Sequence, residues 1–411
     1  MSFPTIGVFH PGTQHSWHTA IAFQDGGQLG WHATSIFCDP GRWPWRAVHW
    51  LPAGVAARVE RELRRRYTPE LDPRHLRIFG LSEWAEVFAR RLGSTRIADA
   101  VNISGNRRFG RQVIRLLGRE PVDVVWGYNT SALEVFRWAK QHGIRCVLDQ
   151  TIGHPRAMNE MFAAEYRVHP AYFGKEYTPF DAAAIARQDE EAALADIVVC
   201  GSDFCADTMR DNGCAPDKLR VVPYGFSDRL FPEGPPARAP LAGRPVRFLF
   251  VGTLEPRKGV PYLLEAFAEI PPSDATLTLI GRCDIPAPVM ARFAGRVTHV
   301  PHLPRDELIA HYRAADCFIF PSLFEGGGLV LYEAAAAGLG IVQTRFCGDG
   351  VRDGKNGIVL DRIDAASVGA AIRGVLADRE QLVRWQDASW RMRKERSWEA
   401  YAVRVREIVA K

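Results

Sequence analysis

Apolar positions along this chain fall into short unbroken runs rich in β-branched and aromatic residues. Between them lie longer stretches in which apolar side chains recur every three to four positions. The runs at 5–9, 33–37, 122–126, 145–148 and 196–200 show little polar alternation, the pattern of strands covered on both faces. The pattern pauses over 231–245, FPEGPPARAPLAGRP, a stretch dense in proline and glycine with neither periodicity. It resumes with runs at 246–251, 276–280, 297–300, 316–320, 340–343 and 357–360. Strands that alternate with helices imply a parallel sheet in each half. The expected organisation is therefore an N-terminal α/β lobe over 1–230, a linker over 231–245 and a C-terminal α/β lobe over 246–389. After Leu360 the pattern is almost entirely helical, and Trp398, Tyr401, Val405 and Ile408 share one helical face. Doubly wound sheets bind ligands at the carboxyl ends of their strands, so two facing lobes predict a cleft.

Composition agrees with two cores. The chain has 411 residues, more than one ordinary core holds, with 47% apolar and 24% charged residues. No apolar run approaches the roughly 20 residues of a membrane helix. The opening MSFPTIGVFH lacks the basic, apolar and small-residue succession of a secretory signal, so the cytoplasm is the expected compartment. Eight scattered cysteines form no zinc-type spacing and read as buried thiols. The formal charge of +5 is modest, but arginines crowd between Arg58 and Arg77 and between Arg107 and Arg119. That density suggests an anionic neighbour and not nucleic acid. The aromatic and basic stretch from Arg42 to Arg66 has two readings: a surface resting on anionic lipid at the cytoplasmic membrane face, or an amphipathic helix covering its lobe.

The chemistry concentrates in PSLFEGGGLVLYEAAAAG, residues 321–338, in the order strand, glycine turn, helix. Gly326, Gly327 and Gly328 let the backbone approach a ligand closely, and the amides at the helix start favour a phosphate. Glu333 lies about one turn inside the helix. Were Glu325 on the same helix, eight residues would separate the two carboxylates by roughly 12 Å along the axis. With Glu325 in the loop, the two carboxylates can hold two different parts of one ligand. A second segment, VGTLEPRKGVPYLLEAF at 251–267, places Arg257 and Lys258 just ahead of another helix, a pairing suited to a diphosphate leaving group. The chain contains no Asp-x-Asp, so no metal and no cofactor is expected, and these two cations with the helix start would neutralise the diphosphate.

The spacing of Glu325 and Glu333 around the glycines resembles the E-x7-E motif of retaining GT-B glycosyltransferases of family GT4, the glycosyl transferases group 1. GTLEPRKG resembles that family's diphosphate loop, with Thr253 standing where many members carry arginine. The segment at 201–226 is similar to the family's entry into the interlobe hinge, with Tyr224, Gly225, Phe226 and Ser227 in place of the usual NGVD. After Thr344 the usual GGxPE is lost while the DGxNG turn is kept. The likeness covers most of 140–360 and is loose before residue 120.

The resemblance implies the GT-B fold, two Rossmann-like lobes with a C-terminal helix, 390–411, returning to the first lobe. It implies hexose transfer from a nucleoside-diphosphate sugar to an acceptor hydroxyl on a glycan, a lipid-linked saccharide or a small molecule, by front-side attack and with retention. Glu325 would then contact the donor sugar and Glu333 the nucleotide ribose. Lys258 and Arg257 would serve the diphosphate, and Gly326, Gly327, Gly328, Leu329, Gly252 and Thr253 would complete the donor site. In the first lobe, His154 would face the transferred sugar, with Asp149 as the rival. Gly12 and Thr13 would approach phosphate and acceptor, while His15 and His18 either join them or cap and pack a helix. The alternatives are a nucleotide-sugar epimerase or hydrolase on the same fold, and a binding scaffold without turnover.

Overall fold

The structure, a computed structural model, describes residues 3–12, 15–39, 43, 45–64, 66–79, 95–174, 177–227, 231, 234, 236, 238–301 and 303–410. Its first sheet contains β1 (Ile6–Phe9), β2 (Leu29–Thr34), β3 (Leu76–Ile78), β4 (Val124–Tyr128), β5 (Arg145–Gln150), β6 (Ile197–Cys200) and β7 (Leu219–Val221). The helices among them are α1 (Ser16–Asp25), α2 (Ala53–Arg64), α3 (Thr95–Leu117), α4 (Leu133–Gln141), α5 (Pro155–Val168), α6 (Ala182–Leu194) and α7 (Asp203–Asp211). The strand order is β3-β2-β1-β4-β5-β6-β7.

The second sheet is built from β8 (Val246–Val251), β9 (Ala275–Ile280), β10 (Thr298–Val300), β11 (Cys317–Phe320), β12 (Gly340–Thr344) and β13 (Gly357–Leu360). With it come α8 (Val260–Ala268), α9 (Ala287–Ala291), α10 (Arg305–Ala314), α11 (Leu329–Ala336), α12 (Ala365–Ala377), α13 (Arg379–Met392) and α14 (Trp398–Ala410). Its order, β10-β9-β8-β11-β12-β13, repeats the plan of the first. The strand pairs described in register are parallel throughout, as the apolar runs predict, and both sheets are doubly wound.

Two compact units follow from the contacts. Unit 1 comprises Met1–Asp149, Ala186–Val199 and Ala402–Lys411; unit 2 comprises Gln150–Ile185 and Cys200–Tyr401. The core of unit 1 is carried by Ile6, Val8, Trp126, Phe136 and Val147, and that of unit 2 by Phe248, Phe250, Leu263, Phe318 and Ile341, all essentially inaccessible. The end of the chain returns to unit 1. Arg406 donates to the Ala22 carbonyl at 3.1 Å, and Val405 and Val409 are buried. Val409 is buried and Ile408 half-buried, so the buried face of α14 runs through Tyr401, Val405 and Val409.

Several elements differ from expectation for identifiable reasons. The run at 33–37 is a strand only as far as Thr34, and β2 begins at Leu29, where its pairing with Ile6 starts. Ile36 turns instead into a small cluster with Cys38, Val48 and Leu63, against which Trp45, Ala56 and Val59 pack. The Arg42–Arg66 stretch thus does supply a helix over a local core. That helix starts only at Ala53, after Pro52, and Trp43 and Trp50 remain 70% and 79% exposed. Of the cysteines, Cys214 and Cys283 are half-buried and the other six are buried. The linker segment is anchored within unit 2 by Arg238, which donates to the Ala337 carbonyl at 2.6 Å, and by Arg244, paired with Asp316 at 2.6 Å.

Candidate active site

Lys258 and Glu325 come together because two strand-to-helix loops of unit 2 are bonded along their length. After β8, Pro256–Lys258 form a 3-10 turn that Gly259 ends at φ 68°, a left-handed conformation. A Cβ at Gly259 would lie 1.8 Å from the Pro321 carbonyl oxygen, so the turn can press on the exit of β11 only with glycine there. The Arg257 carbonyl accepts the Leu323 amide at 2.9 Å and the Ser322 hydroxyl at 3.1 Å. The Arg257 guanidinium in turn donates to the Phe324 carbonyl at 2.8 Å.

Glu325 lies in this seam, 8% exposed and outside α11. Its Oε1 accepts from Ser322 Oγ at 2.7 Å, from Arg257 Nη1 at 3.1 Å and from Lys258 Nζ. No described residue bonds its Oε2. Burial alone would push the carboxyl's pKa up, but the charges of Lys258 and Arg257, with the Lys258 and Ser322 bonds, outweigh it and hold the group below its usual range. Arg257 is also tied to Glu255 at 2.7 Å, and Lys258 lies 5.1 Å from the Phe320 ring centroid.

Glu333 sits inside α11, half-buried, and its Oε2 accepts from Tyr312 at 3.1 Å. The glycines before it have a use the sequence does not reveal. A Cβ on Gly326 would meet the Thr151 carbonyl oxygen at 1.8 Å, and one on Gly327 the Tyr224 ring at 2.7 Å. Gly328, at φ 44°, would put its Cβ 2.6 Å from the Cys347 carbonyl oxygen. The run is therefore required by packing of the protein on itself. Meanwhile the amides of Gly327, Gly328 and Leu329 at the start of α11 meet no acceptor among the described residues. Gly252, at φ 155°, is paired through its amide with Ile280 at 2.9 Å, and Thr253 follows it half-buried.

His154 also belongs to unit 2. It is 2% exposed and caps α5, its Nδ1 accepting the Arg156 amide at 3.2 Å while its own amide donates to Thr208 at 3.0 Å. Its rival Asp149 lies in unit 1, wholly buried, and receives Trp126 Nε1 at 3.2 Å and His15 Nε2 at 3.2 Å. Beside it the Gly12 amide donates to His10 Nδ1 at 3.0 Å. Burial drives the His10 pKa down to about 4 although that bond raises it, so the imidazole is neutral and its Nδ1 accepts. Thr13 lies outside the described residues. Sequence reasoning missed Ser322, Glu255 and Tyr312. Ser322 and Glu255 lie three and two residues ahead of the groups they hold, a usable local signal, whereas Tyr312 reaches Glu333 from 21 residues upstream.

Residues 245–378 match the family model of glycosyl transferases group 1. Over 199 residues the chain is 37% identical to the D-inositol 3-phosphate glycosyltransferase of Acidothermus cellulolyticus, covering 42% of this chain and 44% of that one. It is 28% identical over 287 residues to the GDP-mannose-dependent alpha-(1-6)-phosphatidylinositol monomannoside mannosyltransferase of Mycolicibacterium smegmatis, covering 64% and 70%. The chain thus spans under half the length of the first of these relatives. In structure it is similar to Anabaena HepE in complex with UDP, with a TM-score of 0.65 at 12% identity over 99% of each chain. The fold is accordingly that of the GT-B glycosyltransferases, and residues 245–378 are similar in sequence to the glycosyl transferases group 1.

Proposed function

We propose that this chain transfers a hexose from a nucleoside-diphosphate sugar to an acceptor hydroxyl with retention of configuration. The observation that carries this reading is the asymmetry of Glu325: Oε1 is clamped by two cations and a hydroxyl, while Oε2 is left to accept from a ligand. A carboxylate kept ionised in a buried seam binds sugar hydroxyls strongly, because charge-assisted bonds are about twice as strong as neutral ones. Lys258 and Arg257 neutralise the diphosphate as it departs, aided by the amides of Gly327, Gly328 and Leu329, with no metal ion taking part. Gly252 and Thr253 border that group, Glu333 takes the ribose and His154 lines the sugar. Gly12, Thr13 and His15 serve the acceptor or a phosphate. The acceptor attacks the face from which the diphosphate leaves.

The relatives' names support a nucleotide-sugar donor and an acceptor that is an inositol phosphate or lipid-linked. Among the described residues no helix is long and apolar enough to cross a membrane. We place the protein in the cytoplasm, in peripheral contact with the membrane face. The exposed Trp43 and Trp50, and the exposed Arg107, Arg108, Arg111, Arg115 and Arg119, support that contact.

The test is to incubate UDP-, GDP- and ADP-sugars with and without glycan and lipid-linked acceptors and to assign the product's anomeric configuration by NMR. Acceptor-dependent turnover with a retained anomer is expected. Equal donor consumption without acceptor, or an inverted product, would sink the reading.

A further inference from the structure

A second buried polar cluster of unit 2 lies between α5 and α8. Glu165, 6% exposed near the end of α5, accepts the Tyr262 hydroxyl on both carboxylate oxygens, at 2.9 and 3.0 Å. Tyr262 is the sole partner of that carboxylate among the described residues. His169, which follows α5, stands edge-on to Tyr262 with ring centroids 4.7 Å apart and lies 3.7 Å from Glu265 of α8. Tyr172 closes the cluster with a 3.1 Å bond to Glu265.

A buried carboxylate with one neutral donor is costly, and an aliphatic side chain would fill the space more cheaply. Burial accordingly pushes the Glu165 carboxyl above its usual range, against the Tyr262 bond. What the pair provides is direction. Tyr262 stands one helical turn after Lys258, and α5 packs directly on the Pro256–Lys258 turn. The far end of α5 begins at the His154 cap. A hydrogen bond of defined length between α5 and the first turn of α8 sets how far the Lys258 turn projects, which dispersion contacts, having no direction, do not.

We infer that Glu165 is a positioning residue: through Tyr262 it fixes the start of α8 and so places Lys258 and Arg257 for an incoming diphosphate. This rests on the reading of Lys258 as the diphosphate's counter-charge. The experiment titrates the full chain calorimetrically with UDP, GDP and ADP and records melting curves for wild type and for Tyr262→Phe, Glu165→Leu, Glu165→Gln and Lys258→Ala. Tyr262→Phe and Glu165→Leu are expected to weaken the nucleotide that wild type binds about tenfold, with melting midpoints within a few degrees. Glu165→Gln, which keeps an acceptor for Tyr262, should restore nearly wild-type affinity. If Lys258→Ala weakens binding while Tyr262→Phe and Glu165→Leu bind as wild type, the positioning role is overturned and the diphosphate reading stands. Equal weakening by the Gln and Leu variants also overturns it. If Lys258→Ala binds as wild type, or no nucleotide binds, the diphosphate reading fails and this inference with it.

Discussion

Glu325 in unit 2 and Glu191 in unit 1 are both buried carboxylates that accept three donors, yet their chemistry runs in opposite directions. The donors of Glu325 are a lysine, an arginine and a serine hydroxyl, and its pKa is held low. Those of Glu191 are the amides of Thr130, Ala132 and Leu133, at 2.7, 3.0 and 3.1 Å at the start of α4. There burial dominates the three amide bonds, and the pKa rises to about 7. The number of hydrogen bonds is the same. The difference is full positive charge, which offsets the desolvation of an anion where partial charges fall short. One arrangement keeps a permanent anion beside two cations, where the proposed function needs one. The other fixes a loop, including Thr130 at φ 71°, and anchors the first turn of a helix.

The largest expected effect is on transfer. Glu325→Ala and Lys258→Ala should each lower its rate by roughly a thousandfold or more with the fold retained, as seen by initial rates and circular dichroism. Wild-type rates in either variant would remove the site assignment. Glu191→Ala orphans three amides and should cost about 3 kcal/mol in urea unfolding while leaving nucleotide affinity intact. A loss of affinity equal to that of Lys258→Ala would erase the distinction between the two carboxylates.

The pH dependence of stability sharpens the contrast further. Glu191 has a native pKa raised from 4.5 to about 7, so its contribution is present below 4.5 and lost as pH rises through about 7. Glu325, with a lowered native pKa, contributes stability above 4.5 that is lost as pH falls through its native value. Glu191→Leu should flatten the first arm of the urea stability profile and leave the second unchanged. The smallest expected effect is that of EDTA, which should leave the transfer rate unchanged. A metal-restorable loss would mean that Lys258 and Arg257 are not sufficient to neutralise the diphosphate.

Much of this was legible along the chain. The runs at 246–251 and 357–360 are strands with those bounds, and Glu325 lies in the loop while Glu333 lies on the helix, as the glycine turn required. β3 and β7 are not legible in the sequence because they are three-residue strands at the two edges of their sheet, with half-buried or exposed side chains. Too few positions were present for a buried run to show. The glycine run is legible as a place of close backbone approach to a ligand, but the close contacts that demand it are with Thr151, Tyr224 and Cys347, from distant parts of unit 2.

The sequence alone determined the two doubly wound sheets, the loop position of Glu325 and the pairing of Arg257 with Lys258 ahead of a helix. Those features follow from periodicity and from the conformational needs of glycine and proline, which act over a few residues. Tertiary structure alone decided that both cations point at one oxygen of Glu325 and that Tyr262 ties the lysine's helix to Glu165. Such choices depend on which side chains share a buried volume. Residues separated by 67 or 97 positions acquire that relation only when the chain has closed on itself.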